Sequence, residues 1–242
     1  MRLQAALAGI FCSVFLTVAA VPSGLAQNTS GIFVPPIPDA PFTGVIKVDR
    51  TIVRPDGSVE SLRTIRDTAR DSRGRIYNVF RAPVPADFAG TPPTIRVHFY
   101  DPQTRNYTYL YPGHNTYMTG TVNHPPAAEP ADLLASPQGN SIPLNQFTKQ
   151  QDLGTQSIEG ITAHGVRETQ TIPGSTESEI VLTDEYWYSD DLHMNVMVKH
   201  NDPRKGSVTM TLTQATRTDP DPSLFQIPEG YKPAGGAMAS AQ

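Results

Sequence analysis

The chain has 242 residues, a formal net charge of -4 and a single cysteine. A mildly acidic balance argues against general nucleic-acid binding, and one Cys excludes an internal disulfide. Charge is spread unevenly, because residues 42–105 carry eleven Lys or Arg against seven Asp or Glu while residues 106–242 carry seven against fifteen. Solvated strand faces account for that pattern, and it also leaves two oppositely charged halves able to attract one another.

Met1 and Arg2 give a positive start, Leu3 to Val21 a mostly apolar run, and Gly24-Leu25-Ala26 small residues at a cleavage position. This layout predicts a secretory signal peptide over residues 1–26. The apolar run is short for a membrane span and ends at Pro22-Ser23-Gly24 without a positive flank, so no stable span is expected after cleavage. Cys12 lies inside the run, behind Ile10 and Phe11 where lipidation requires a small residue. The mature chain, about 216 residues (242 minus 26), is therefore expected to be exported, periplasmic or extracellular, cysteine-free and held by its core alone.

Residues 27–41, with Pro35-Pro36-Ile37-Pro38 and Pro41, lack periodicity and read as an extended Pro-rich leader. From residue 42 the dominant signal is two-residue alternation broken by turn chemistry. Phe42, Ile46, Val48 and Ile52 share one strand face, Pro55-Asp56-Gly57 turns the chain, and the return strand runs from about Ser58 to Ala69. Asp71-Ser72-Arg73-Gly74 makes the next turn, Arg75 to Arg81 the third strand, and Pro83 to Pro93 a proline-rich loop. Ile95, Val97 and Phe99 then alternate with Arg96, His98 and Tyr100; Asp101-Pro102 leads to Tyr107, Tyr109 and Tyr111 on one face of the next strand, and a short strand follows near Thr116 to Val122. Residues 123–150 hold five prolines and read as one long irregular excursion with at most a helical turn or two at Glu129 to Leu134.

Alternation returns in the last third. Gly165-Val166 leads a strand to Ile172, Pro173-Gly174 turns it, and Ile180, Leu182, Tyr186 and Tyr188 share a face with Trp187 on the opposite one. Ser189-Asp190-Asp191 turns again into Met194, Val196 and Val198, with His193 and His200 placed on opposite faces of that strand. Asp202-Pro203-Arg204-Lys205-Gly206 leads to Val208, Met210 and Leu212, and Pro233 to Gln242 reads as a disordered tail. Successive strands with one apolar and one polar face predict an antiparallel meander. The expected fold is mainly β: one antiparallel curved sheet or open half-barrel, a single domain over residues 42–232, with at most short helices.

Four stretches carry a family resemblance. They are Leu153-Gly154-Thr155-Gln156-Ser157-Ile158-Glu159-Gly160-Ile161, Gly165-Val166-Arg167-Glu168-Thr169, Glu185-Tyr186-Trp187-Tyr188-Ser189-Asp190-Asp191-Leu192 and Pro222 to Tyr231. In that order they resemble a group of exported bacterial β-rich proteins, similar in layout to the half-barrel sheets of periplasmic lipoprotein carriers of the LolA/LolB kind. The resemblance implies a curved sheet with a ligand-holding concave face and carries no catalytic motif. Those carriers plug their sheet with amphipathic helices, which are not read here.

Candidate chemistry is sparse. The histidines His98, His114, His124, His164, His193 and His200 form no HxH or HExxH pair, so no metal site is expected. Asp184-Glu185 and Asp190-Asp191 are sequence neighbours that point to opposite faces, unlike the facing carboxyls of a glycosidase. No G-x-S-x-G is present. Tyr107, Tyr109 and Tyr111 give a flat amphipathic surface suited to a ligand, and Trp187 joins them as a candidate ligand-binding residue; both are also ordinary packing residues of a half-buried sheet. No catalytic residue and no cofactor is expected. The sequence favours an exported, non-enzymatic binding or carrier-like module with an apolar or amphipathic ligand and no nucleic-acid partner. The alternatives are a small secreted hydrolase using His114 or His124 with a carboxylate, and an envelope interaction protein pairing through an exposed strand edge.

Overall fold

A computed structural model describes residues 31–123, 146–172 and 179–234. Among these, thirteen strands build one open, curved sheet without an α-helix. In chain order they are β1 (Phe42–Val53), β2 (Val59–Arg70), β3 (Ile76–Arg81), β4 (Val84–Pro85), β5 (Thr94–Asp101), β6 (Asn106–Tyr111), β7 (Thr116–Thr121), β8 (Thr148–Ile158), β9 (Ile161–Ile172), β10 (Ile180–Ser189), β11 (Met194–Asp202), β12 (Gly206–Thr216) and β13 (Lys232–Pro233). Single 3-10 turns lie at Pro112–His114 and Pro222–Phe225.

The spatial order is β13-β7-β6-β5-β3-β2-β1-β12-β11-β10-β9-β8, with β4 paired to β2. Two meanders, β1 to β7 and β8 to β12, therefore join along the antiparallel β1–β12 pair. That seam lies between the two oppositely charged halves of the sequence, yet it is stitched by neutral groups. Thr43 Oγ1 and Thr216 Oγ1 lie 2.7 Å apart, and Thr51 Oγ1 and Ser207 Oγ 2.8 Å.

Because side chains alternate along each strand, the register defines two faces. The Phe42 face carries Phe42, Ile46, Ile76, Leu212, Val196, Val198 and Tyr186, which together with Ile32 and Val34 form the main core. The opposite, Val79 face holds a smaller cluster of Val79, Val97 and Leu110, flanked by Tyr77, Phe99, Tyr117 and Tyr231. On that side Phe225 from the second 3-10 turn meets Tyr77 edge-on at 6.4 Å and lies under Arg75 at 4.1 Å.

The region expected to be a free leader is part of the fold from residue 31. Its backbone is irregular, as the prolines dictate, but Ile32, Val34 and Ile37 are each only 3% exposed. Fully buried Arg70 fixes it to the sheet. Arg70 donates from Nε to Ala40 O (2.8 Å), from Nη1 to Pro35 O (3.0 Å) and from Nη2 to Leu192 O (2.7 Å). Three isolated apolar residues among prolines show no period, so only the contacts reveal that they are core.

Other differences are local. β8 begins inside the expected excursion and is not legible as a strand, because apart from Leu153 and Ile158 its residues are polar or glycine and mostly exposed. The proline-rich loop contributes β4. His193 occupies the turn before β11 at φ 52° rather than a strand position. Residues 1–30, 124–145, 173–178 and 235–242 lie outside the described residues, and with them the signal peptide, Cys12, His124, the Glu129 to Leu134 turn, the Pro173-Gly174 turn and most of the expected tail.

Replacing Arg70 with Met leaves three buried carbonyls without their donor, at about 1–3 kcal/mol each before relaxation. Urea unfolding is expected to show a loss of at least ~3 kcal/mol for this variant, and an unchanged midpoint would rule out the carbonyl clamp. Ile32→Ala is expected to cost about 2–5 kcal/mol, where an undocked leader would give almost no change in the same measurement.

Candidate functional site

Three rows of directly paired residues cross the Phe42 face of the first meander. Arg66, Phe80 and Arg96 form one; Thr68, Asn78, His98, Tyr109 and Met118 the next; Arg70, Ile76, Tyr100, Tyr107 and Gly120 the third. Arg70 and Ile76 lie under the 31–41 segment or in the core. Beyond them Phe80, Arg96, His98, Tyr100, Tyr107, Tyr109, Tyr111 and Met118 are half-buried. Period-two alternation puts the long aromatic and cationic side chains of β3, β5 and β6 on this side and sends Val79, Val97 and Leu110 to the other.

The side chains stack into one continuous surface. The Arg96 guanidinium carbon lies 4.9 Å from the Phe80 ring centre and 4.8 Å from that of Tyr109, and Arg66 lies over Phe80 at 5.7 Å. These are cation–π distances. His98 stacks on Tyr109 at 4.8 Å with planes 28° apart, and Tyr107 follows at 5.4 Å. Gly120 makes room for Tyr107: a Cβ there would fall 2.3 Å from the tyrosine oxygen.

Electrostatically the surface is positive. The nearby Asp67 points to the Val79 face and pairs there with Arg81. Arg66 donates from Nη2 to Ile32 O at 2.5 Å. The Nε atoms of Arg66 and Arg96 are buried without an acceptor among the described residues. Burial pulls Arg66 down to about 10, so it stays charged at neutral pH. Burial, and secondarily the Arg96 charge, push His98 down to about 4, so the imidazole is neutral at neutral pH.

Of the four residues singled out from the sequence, Tyr107 and Tyr109 are in contact, with Tyr111 on the same strand face. Trp187 is elsewhere. It sits on β10 of the second meander, 6% exposed within the main core, and its ring lies across Gly165, where a Cβ would come within 2.5 Å of it. Arg66, Phe80, Arg96 and His98 complete the tyrosine surface and were not singled out. Alternation already placed Arg96 and His98 on the face opposite Ile95 and Val97, but which strands are neighbours decides whether they meet Tyr109.

Of the histidines considered for hydrolysis, His124 lies outside the described residues. His114 is exposed in a 3-10 turn. His200 Nδ1 lies 2.6 Å from Asp184 Oδ1, with Glu168 next in the row; burial, and secondarily Asp184, raise the Glu168 carboxyl above its ordinary range. Among the described residues no group of three or more His, Cys, Asp or Glu is placed to hold a metal. Two shallow clefts, of about 170 Å³ beside Asp49, Arg50 and Ser207 and about 130 Å³ beside His164, Tyr188 and Asp190, do not touch Tyr107, Tyr109 or Tyr111.

No family model matches the sequence, and no curated protein does. Solved structures similar to this chain include the Pseudomonas aeruginosa MucA/MucB complex (12% identity, TM-score 0.36, covering 78% of this chain and 56% of that one). Others are Mycobacterium tuberculosis lipoprotein LppX (16%, 0.26, 73% and 87%) and a LolA superfamily protein of Nitrosomonas europaea (9%, 0.31, 78% and 91%). The chain thus spans little more than half of the MucB chain it matches.

The pH behaviour of His98 tests the electrostatics of the site. Its folded value lies below the ordinary 6.5, so its contribution to stability is complete above that pH and is lost as pH falls toward 4. An NMR titration is expected to show a His98 midpoint near 4, moving upward in Arg96→Gln because a neighbouring positive charge is gone. A midpoint at 6.5 would mean that the imidazole is solvated.

Proposed function

We propose that the protein is an exported, non-enzymatic binding or carrier-like module that holds an apolar or amphipathic ligand against Tyr107, Tyr109 and Tyr111. The observation that carries this reading is the half-buried aromatic surface itself, continuous with the core through Tyr100 and lying beyond the 31–41 segment. Phe80, His98 and Met118 belong to the same surface, whereas Trp187 packs within the main core at the second meander. Export rests on the signal layout of residues 1–26; no helix among the described residues is long and apolar enough to cross a membrane.

An envelope interaction protein would need an open strand edge. β8 is a long edge strand, but it carries the blunting features of such edges: a register irregularity between Asp152 and Gly154, and Lys149 exposed along it. The tyrosine surface is therefore the preferred site.

Titration with dodecyl maltoside and with dodecanoate, followed by thermal unfolding, is expected to raise the Tm, since a ligand that binds only the folded state adds about 2.7 kcal/mol at a hundredfold excess over Kd. Tyr109→Ala is expected to weaken binding roughly tenfold, through lost ring contacts. Failure of every amphiphile to bind would overturn the reading.

A further inference from the structure

We propose that the ligand is an anionic amphiphile whose oxyanion head group is received by Arg66 and Arg96, with its apolar tail laid over the neighbouring rings. This rests on the binding reading above and narrows it to one chemical class. The argument is one of compensation. On the same meander, Arg54 pairs with Glu60, Arg75 with Asp71 at 2.6 Å, and Arg81 with Asp67. Arg70 has no carboxylate but has three carbonyls. Arg66 has one carbonyl, and Arg96, among the described residues, has only the faces of Phe80 and Tyr109.

A buried cation left without an acceptor is costly, and ring faces offset only part of that cost. Both Nε groups are buried and unpaired. A carboxylate or phosphate supplies what is missing, because its oxygens accept several guanidinium N–H bonds at once. The rings holding Arg96 in place also offer the apolar surface that a tail needs. A cationic amphiphile would meet two like charges there, and a neutral one would accept the guanidinium N–H bonds without the charge assistance that an oxyanion brings.

The test uses the full exported chain and a matched series of twelve-carbon ligands below their micellar concentrations: dodecyl phosphate, dodecanoate, dodecyl maltoside and dodecyltrimethylammonium, with inorganic phosphate and a single-stranded oligonucleotide as controls. Calorimetry is expected to give at least about tenfold tighter binding of the two anionic ligands than of the maltoside or the ammonium. Arg96→Gln, and separately Arg66→Gln, are expected to bring the anionic ligands down toward the maltoside. Dodecyl phosphate should also raise the His98 NMR midpoint in the unmodified chain, because an anion beside the ring favours its protonated form.

Equal binding of maltoside and anionic ligands overturns this inference and leaves the binding function standing. No binding of any amphiphile overturns both. Inorganic phosphate as tight as dodecyl phosphate removes the lipid part, and preferential binding of the oligonucleotide overturns the ligand class.

Discussion

The guanidinium of Arg70 carries a positive charge with no exposure to solvent, and three backbone carbonyls, two from the 31–41 segment and one from the turn at Leu192, close around it. Withdrawing such a charge from water costs several kcal/mol, which is offset only when all its donors find acceptors. Burial, and secondarily Arg217, pull it down to about 10, still far above neutral pH. The charge therefore persists, and β2, the 31–41 segment and the turn holding Leu192 must assemble together. The Phe42 ring, 5.3 Å from the guanidinium carbon, seals the remaining side. In a chain with no disulfide to hold this segment, one buried cation does that work through hydrogen bonds.

Where the clamp sits decides where a ligand surface is left. The 31–41 segment crosses the Phe42 face at Arg70 and Arg66, near the seam between the meanders, and packs with apolar residues of β1, β3 and β12. On the opposite face the C-terminal segment packs Phe225 and Tyr231 against β3, β5 and β7. β3, β5 and β6 are thus supported from behind while their Tyr107 and Tyr109 side remains half-open. A tyrosine surface backed by packed Val79, Val97 and Leu110 is rigid, and rigidity limits the ordering cost when a ligand docks.

Strands with one wet and one dry face were legible because alternation records that difference: β1, β2, β5, β6, β11 and β12 all lie where the periodicity put them. β8 carries only Leu153 and Ile158 as apolar residues, so its sequence holds too little contrast to read, and the docking of Ile32, Val34 and Ile37 is a tertiary fact without local period. The tyrosines were found in the same way as their strand. Their companions Arg66 and Phe80 are remote in sequence, and no local pattern reveals that β2 and β3 lie beside β5. Trp187 lies on the second meander, so its distance from the tyrosines depends on the β1–β12 seam.

The register also explains why the exposed side of this sheet became cationic. Asp67 and Asp101 occupy odd positions that turn to the Val79 face, while Arg66, Arg70 and Arg96 occupy even positions that turn to the Phe42 face. A one-residue slip in β2 would exchange Arg66 for Asp67 and bury a carboxylate against Phe80. Moving outward from the clamp, carbonyl acceptors fall from three at Arg70 to one at Arg66 and none at Arg96 among the described residues, while aromatic faces take their place. The cation with a carbonyl on each of its three nitrogens is the one that holds the fold together. The cation left with rings alone is the one whose hydrogen bonds remain for something outside the chain.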